Sequence, residues 1–332
     1  MLVLSFVIPM YNASSTILRC LDSIYGLPVE ESFFEVIAID DCSTDNTVEL
    51  VKEYAHGHSN LVLLCQPENH KQGAARNRGV SVARGTFIAF VDSDDETDKG
   101  VVSAVRLASD KNLDMVAIKT ATFSKYGEFE KATTLPYAKD AIFSGIELQT
   151  EHPFWFAGPV AYLYRFSFIK NINYPFAEGV FYEDSDFVNV HLYYAKRMAY
   201  CDECGYRIHQ DNSISTTQTL SAENCSDYFL LGVRMLGFYE CLCEKTVKYA
   251  ESILEGGSYC IMKAFRRLFR LKSISEVCTF YDSIDTQCDR ELLLKYNKPA
   301  YCWTHWTRFC IKHRRLSVVI IGLVISFKKF VS

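Results

Sequence analysis

The chain lacks the sequence features that mark several classes of ligand-binding protein. Its 35 Lys and Arg residues are outnumbered by 40 Asp and Glu residues, and the formal net charge of −5 argues against a generic nucleic-acid-binding domain, which would be basic. There is no Gly-x-Gly-x-x-Gly dinucleotide fingerprint, no Walker-type phosphate loop and no internal repeat. We therefore expect no nucleic acid as a partner, and any phosphate must be held by a local cation.

The sequence also lacks a secretory signal. It opens as MLVLSFVIPMYN, with no basic residue before its apolar run and no small-residue cleavage site after it. Its 13 cysteines are odd in number and show no framework spacing, so we expect reduced thiols. These features predict a cytoplasmic protein.

The N-terminal part of the chain alternates apolar runs with helical patterns. Four runs are apolar almost throughout, as strands buried on both faces of a parallel sheet are: LVLSFVIP, FEVIAID, NLVLLCQ and TFIAFVD. Helices are predicted between them, over residues 15–25, 44–56 and 73–83. We predict an α/β fold with an open, mostly parallel sheet and helices on both faces, wound by right-handed crossovers. The pattern changes near residue 216, so we predict an α/β domain over 1–215 and a helical region over 216–332.

Aspartates follow the fourth predicted strand in FIAFVDSDDET. In an extended chain Asp92 and Asp94 share one side, and Asp95 lies in the turn that follows. Two carboxylates about 4 Å apart repel by roughly 4 kcal/mol at an effective dielectric near 20, so a cation is expected. Mg²⁺ or Mn²⁺ suits such a site because these ions bind one or two carboxylates together with substrate phosphates. The alternative is that the aspartates only end the strand and form a turn.

A second acidic pair, Asp40 and Asp41, ends the second predicted strand. Ligands of open α/β sheets bind beyond the carboxyl ends of the strands, where residues 9–12, 40–41 and 92–95 all lie. Ser43, Thr44 or Asp45 can cap the following helix, but capping leaves the acidic pair unexplained. A carboxylate here can accept the imide N–H of a uracil or bond a ribose, and for this motif alone the structural interpretation is equally supported.

Five motifs together resemble, in order and spacing, the family 2 glycosyltransferases with the GT-A fold: VIPMYN, DDCSTDNT, QGAARNRGVSVARGTFIAFVDSDD, FYEDSDF and YRIHQDNSIS. The similarity spans about residues 3–215 and is strongest to bacterial enzymes that build capsular, exopolysaccharide or lipopolysaccharide sugars. It implies inverting transfer of a hexosyl or N-acetylhexosaminyl group from a nucleotide-sugar, usually a UDP-sugar, to a glycan or lipid-linked glycan. Residues 1–98 would then bind the donor, and residues 99–215 the acceptor.

The resemblance also assigns roles to single residues. The positions that match nucleotide-sugar-binding residues of the family are Pro9, Tyr11, Asn12, Asp41, Arg76, Asp92, Ser93, Arg207 and His209. The implied ligands of a Mn²⁺ or Mg²⁺ cofactor are Asp94, Asp92 and His209. In the acidic pair, Asp184 matches the general base and Glu183 is its catalytic neighbour. The alternative for this pair is a helix N-terminus, where the helix dipole favours acids.

Two positions depart from the family pattern. Cys42 stands where glycine is common, so we expect a differently shaped turn. Cys204 stands where a tyrosine is often found, which removes one possible contact. Neither change touches a charge that the chemistry needs.

The C-terminal tail carries an apolar run over 316–327 with basic residues on both sides. As a helix, its roughly 12 residues span about 18 Å, too little for a bilayer core of about 30 Å. The basic flanks favour peripheral attachment to the inner face of the cytoplasmic membrane. The alternative is a buried terminal helix with a solvated basic collar.

Two functions of other classes remain open from the sequence. A sugar-phosphate nucleotidyltransferase would use similar carboxylates, and a catalytically inactive glycan-binding protein would keep the same fold. A homodimer is also compatible with the sequence.

Overall fold

The computed structural model describes residues 2–124, 129–138, 141–151, 158–210, 220–242, 248–285 and 304–331. The chain forms two units: one comprises residues 1–179 and 183–213, and the other comprises residues 180–182 and 214–332. The domain boundary expected at residue 215 lies outside the described residues.

A single sheet runs through the first unit. Its strands are β1 (Leu4–Met10), β2 (Phe34–Asp40), β3 (Leu61–Cys65), β4 (Phe87–Phe90), β5 (Glu96–Thr97), β6 (Met115–Phe123), β7 (Phe129–Thr133), β8 (Tyr162–Arg165) and β9 (Met198–His209). Their order is β3-β2-β1-β4-β8-β6-β9-β5, with β7 paired to β6. The first four strands in this order are mutually parallel, which confirms the α/β prediction. Strand β8 then enters antiparallel to both β4 and β6, which the sequence pattern did not predict.

The helices of the first unit are α1 (Ile17–Tyr25), α2 (Thr47–Ala55), α3 (Lys71–Val82), α4 (Gly100–Asp110), α5 (Gly145–Glu151), α6 (Phe166–Ile172) and α7 (Asp184–Tyr194). Those of the second unit are α8 (Ala222–Cys241), α9 (Lys248–Leu268), α10 (Ile274–Asp285), α11 (Thr304–Lys312) and α12 (Arg314–Val331). The predicted helices over 15–25, 44–56 and 73–83 correspond to α1, α2 and α3.

Helices cover both faces of the sheet, as predicted. Strand β1 is buried at every position, and successive side chains of a strand point to opposite faces. Phe6 belongs to the same core cluster as Ile17 of α1. Val7 lies on the other face, where a Cβ atom at Gly79 of α3 would come within 2.4 Å of its Cγ1 atom. Only glycine at that position allows α3 to pack this close to the sheet.

The second unit is built from helices. Phe229, Phe265 and Phe280 pack edge to face in its interior, one each from α8, α9 and α10. In α12, Ser317 and Ile321 are fully buried, so one face of this helix contributes to the core. In the part of the chain that the structure describes, no helix is both long and apolar enough to cross a membrane.

Candidate active site

Three strand ends meet at one edge of the sheet. In the parallel register Met10 of β1 pairs with Asp40 of β2, and the Asp41 N–H donates to the Met10 carbonyl at 2.8 Å. On the other side of β1, the Val91 N–H donates to the Val7 carbonyl at 3.0 Å. The polar residues that follow β1, β2 and β4 therefore lie along the same edge, where ligands of open α/β sheets bind.

The loop after β1 is tied to the loop after β2. The Asn12 N–H donates to Ser43 Oγ at 2.9 Å, and the Thr44 N–H donates to Asn12 Oδ1 at 2.8 Å. Of the other predicted nucleotide-binding residues here, Tyr11 is half exposed whereas Pro9 is buried within β1. Tyr11 and Asn12 are thus presented at the edge, and Pro9 supports them from inside the sheet.

Asp41 is almost completely buried beside these loops. Its Oδ1 atom accepts hydrogen bonds from Gln66 Nε2 at 2.7 Å and from the His70 N–H at 2.9 Å. Burial raises the pKa of Asp41, and these hydrogen bonds counteract only part of that effect. Gln66 was not predicted as a site residue, although its place directly after β3 puts it at the same edge. Asp41 is therefore a fixed, buried acceptor, as the predicted contact with a base requires.

Cys42 takes the backbone conformation that glycine favours. Its φ angle is +67°, in the left-handed region. The expectation of a differently shaped turn is therefore wrong. The turn keeps the conformation suited to glycine, and the Cβ atom of Cys42 makes it strained.

Arg76 joins two acidic motifs that are far apart in the sequence. The guanidinium is buried: Nη2 lies 2.7 Å from Asp92 Oδ1, and Nη1 pairs with Glu183 Oε1. Nη2 also donates to Gln72 Oε1 at 3.1 Å. Burial alone would lower the pKa of Arg76, but the two carboxylates outweigh it and raise the pKa. The structure thus brings together three of the predicted site residues, with the carboxylates of Asp92 and Glu183 on either side of the Arg76 cation.

The acidic pair stands where α7 begins. Glu183 precedes the helix and is buried, and Asp184 is its first residue and half buried. Burial raises the pKa of both carboxyl groups, and the nearby Arg76 guanidinium opposes this rise. The pair therefore lies at a helix N-terminus, and one of its members, Glu183, is also ion-paired with Arg76.

The turn over 92–95 concentrates negative charge. Burial, together with Asp92 and Asp94, raises the pKa of Asp95 to about 8. In the described residues no cluster of three or more His, Cys, Asp or Glu side chains could hold a metal ion alone. Asp92 and Asp94 supply carboxylate oxygens, which an ion such as Mg²⁺ binds together with water and substrate phosphates. One oxygen of Asp92 is bonded to Arg76, so the metal-binding roles of this pair stay predictions. Ser93 lies between them, partly buried.

Arg207 and His209, both on β9, are engaged by other acids. Arg207 Nε and Nη2 donate to Asp98 Oδ2 at 2.8 and 2.6 Å. His209 Nε2 pairs with Glu96, and its ring stacks on Phe123. To reach a diphosphate or a metal ion, each would have to leave its partner, so their binding roles stay predictions.

Comparison with known proteins identifies the family of the chain. The model of glycosyl transferase family 2 matches residues 5–172, half of the chain. The uncharacterized glycosyltransferase YibD of Escherichia coli K12 is 29% identical over 221 residues, which are 63% of this chain and 62% of YibD. The succinoglycan biosynthesis protein ExoO of Rhizobium meliloti is 31% identical over 189 residues, which are 53% of this chain and 51% of ExoO. The chain thus spans less than two thirds of the length of these relatives.

Two solved structures are similar in fold. Residues 1–349 of Staphylococcus aureus TarS, in complex with UDP-GlcNAc, give a TM-score of 0.70 at 19% identity, covering 99% of this chain and 92% of that one. The mannosyltransferase PcManGT of Pyrobaculum calidifontis, in complex with GDP-Man and Mn²⁺, gives 0.54 at 14% identity, covering 96% and 86%. At these identities the likeness concerns the fold alone. Since the family model matches half of the chain and the fold is similar to that of TarS, the chain belongs to glycosyltransferase family 2 and has a GT-A fold.

Proposed function

We propose that this protein is an inverting, metal-dependent glycosyltransferase of cell-surface polysaccharide biosynthesis. It transfers a hexosyl or N-acetylhexosaminyl group from a nucleotide-sugar to a glycan or lipid-linked glycan. The observation that carries the proposal is the buried Arg76 guanidinium, which bonds Asp92 on the donor side and Glu183 beside the acceptor-side base. A nucleotidyltransferase would have no use for this second acidic pair.

The donor is proposed to be a UDP-sugar. Asp41 is a buried acceptor held by two donors, and it suits the imide N–H of a uracil. The fold is similar to that of TarS, which binds UDP-GlcNAc. Asp92 and Asp94 would hold Mn²⁺ or Mg²⁺, and the bound ion would offset the charge of the leaving diphosphate.

Asp184 is proposed as the general base. Transfer with inversion needs a group that removes the proton of the acceptor hydroxyl as the new glycosidic bond forms. Burial raises the pKa of Asp184, which makes its carboxylate a stronger proton acceptor than an exposed aspartate. Glu183 is paired with Arg76 and so cannot rotate freely. We infer that this ion pair fixes the start of α7 and with it the carboxylate of Asp184.

Peripheral membrane attachment is proposed for α12. Its outward side chains Leu316, Val319 and Leu323 are 50%, 56% and 66% exposed, and they follow one another at helical spacing. Lys312 and Arg315, next to this stripe, are exposed too. An apolar stripe with basic neighbours is typical of a helix that lies on an anionic membrane, where a lipid-linked acceptor would be found.

The proposed function is tested by incubating the protein with UDP-, GDP-, dTDP- and CMP-sugars in Mn²⁺ or in EDTA. We expect metal-dependent release of the free nucleoside diphosphate from one UDP-sugar by slow donor hydrolysis. In a parallel incubation with a nucleoside triphosphate and a sugar 1-phosphate, release of pyrophosphate would instead point to a nucleotidyltransferase. If UDP binds but is never released from any sugar, even with glycan acceptors present, the inactive glycan-binding protein becomes the better interpretation.

A further inference from the structure

A single hydroxyl group links the turn over 92–95 to strand β9. Tyr206 is buried on β9, and its hydroxyl oxygen accepts a hydrogen bond from the Asp92 N–H at 3.1 Å. The same hydroxyl donates to Asp95 Oδ2 at 2.8 Å. The other oxygen of Asp95 accepts from the His209 N–H at 2.8 Å. We call this set of hydrogen bonds the Tyr206–Asp95 bridge.

The chemistry of the bridge explains why an acid occupies position 95. A buried carboxylate next to Asp92 and Asp94 is costly, because like charges repel at short range. Only a carboxylate, however, has two acceptor oxygens that can receive both the Tyr206 hydroxyl and the His209 N–H. An asparagine would present a donor NH₂ group to one of these two donors. The two hydrogen bonds that Asp95 accepts offset part of the cost of burying an acid at this position.

The bridge acts on the backbone of the predicted metal ligands. It holds the N–H group of Asp92, while the carbonyl of Asp92 accepts from the Asp95 N–H at 3.1 Å. The carbonyl of Asp94 accepts from Arg19 Nη2 at 2.6 Å. The main chain of the turn is thus fixed from two sides, by β9 and by α1.

We propose that Tyr206 and Asp95 are positioning residues, which hold the backbone of Asp92 and Asp94 in the conformation that binds the metal–diphosphate group of the donor. This inference rests on the proposed function. It assigns to the motif around Tyr206 a role that does not depend on Arg207 or His209 reaching the diphosphate. The role assigned to the Tyr206 hydroxyl acts through its hydrogen bonds to Asp92 and Asp95.

The test is calorimetric titration of UDP at a series of Mn²⁺ concentrations, with the full chain and the variant Tyr206→Phe. We expect the Mn²⁺ concentration at half-maximal UDP affinity to rise at least tenfold in the variant. The matched control is Tyr200→Phe, which also removes a hydroxyl from a largely buried tyrosine of β9, one that bonds the Thr133 carbonyl at 3.3 Å. This control should keep the wild-type Mn²⁺ dependence. It thereby separates the general effect of losing a buried hydroxyl from the effect of losing the hydroxyl that holds the backbone of Asp92.

Three outcomes are decisive. A folded Tyr206→Phe protein with unchanged Mn²⁺ dependence would overturn the inference and leave the proposed function intact. A wild-type protein whose UDP binding ignores Mn²⁺ would instead refute the metal-dependent function itself. Should Tyr206→Phe not fold, Asp95→Asn carries the same expectation, because it removes one acceptor of the bridge and keeps the size of the side chain.

Discussion

The guanidinium of Arg76 lies 2.7 Å from Asp92 and is also paired with Glu183, 107 residues further along the chain. A buried cation between two carboxylates is strongly held, since removal of the guanidinium would leave the buried Glu183 carboxylate without a counter-charge. The two halves of the proposed active site thus share one ion-pair network. Geometry on the donor side and geometry beside the proposed base cannot vary independently.

Arg76→Lys tests this network. Lysine keeps the charge but has no planar fork, so it cannot bond both carboxylates in the same way. We expect donor hydrolysis to fall about 100-fold, as a misplacement of about 1 Å can produce, and stability to fall by about 1–3 kcal/mol. Steady-state kinetics and urea unfolding measure the two effects. Arg78→Lys, an exposed arginine of the same helix, should change neither; equal effects of both variants would contradict the shared network.

Asp184→Asn separates donor binding from transfer. Asparagine has nearly the same shape but cannot accept the acceptor's proton, so UDP affinity should stay within about twofold while transfer falls by the 10²–10⁴-fold typical of a lost general base. Calorimetry with UDP and a transfer assay give the two numbers. Asp110→Asn, at an exposed position of α4, serves as the control. An active Asp184→Asn protein would refute the assignment of the base.

Cys42→Gly is expected to stabilise the protein. The left-handed conformation of Cys42 costs about 1–2 kcal/mol, and glycine removes this strain but loses about 0.5–1 kcal/mol through the greater freedom of the unfolded chain. The net gain should be up to about 1.5 kcal/mol in urea unfolding. Cys42→Val should have the opposite effect, since a β-branched residue tolerates a positive φ poorly. A destabilised glycine variant would show that the thiol contributes more than the strain costs.

His191 makes stability depend on pH. It is fully buried, its Nδ1 contacts the Phe187 carbonyl at 2.8 Å, and burial lowers its pKa from 6.5 to about 4. Below pH 6.5 His191 binds a proton in the unfolded chain but not in the folded protein. Its contribution to the free energy of unfolding is therefore complete above pH 6.5 and is lost as pH falls toward 4. The loss amounts to about 3 kcal/mol at most.

The variant His191→Gln should therefore show a smaller loss of unfolding free energy between pH 6.5 and pH 4 than the wild type. Urea unfolding at several pH values measures the difference. His56→Gln removes an exposed histidine and should keep the wild-type pH dependence. Identical slopes for His191→Gln and the wild type would show that His191 is protonated normally in the folded protein.

The stripe on α12 is tested by replacing Leu316, Val319 and Leu323 together with glutamine. We expect the fraction of protein that sediments with phosphatidylglycerol vesicles to fall severalfold, because each large apolar side chain contributes roughly 1.5–3 kcal/mol on full burial. The matched control replaces three exposed apolar residues of the first unit, Leu18, Val62 and Val82. If both triple variants sediment like the wild type, the stripe does not bind membranes.

The sequence pattern was sufficient for the parallel part of the fold. Strands β1, β2 and β4 are buried at every position, which accounts for their almost continuously apolar sequences. The parallel pattern also placed the acids at the ends of β2 and β4 at one edge of the sheet, because parallel strands end on the same side.

Long-range pairing could not be predicted in this way. The antiparallel entry of β8 depends on partners more than 70 residues away in β4, and no local period encodes them. The bond between Tyr206 and Asp95 and the ion pair between Arg76 and Glu183 are likewise contacts between distant segments. Motif order suggested that these segments meet, but only the structure identifies which atoms bond.

The close contact at Gly79 limits which substitutions the hydrophobic interior of this protein can accept. With no side chain there, α3 rests directly on Val7 and Ile39. A methyl group would lift the helix from the sheet, and Arg76, one turn earlier, would move away from both carboxylates at once. Substitutions at this apolar interface are therefore limited by the need to keep Arg76 aligned with its two carboxylates. A mutation in the core that changes no charge can act as an active-site mutation.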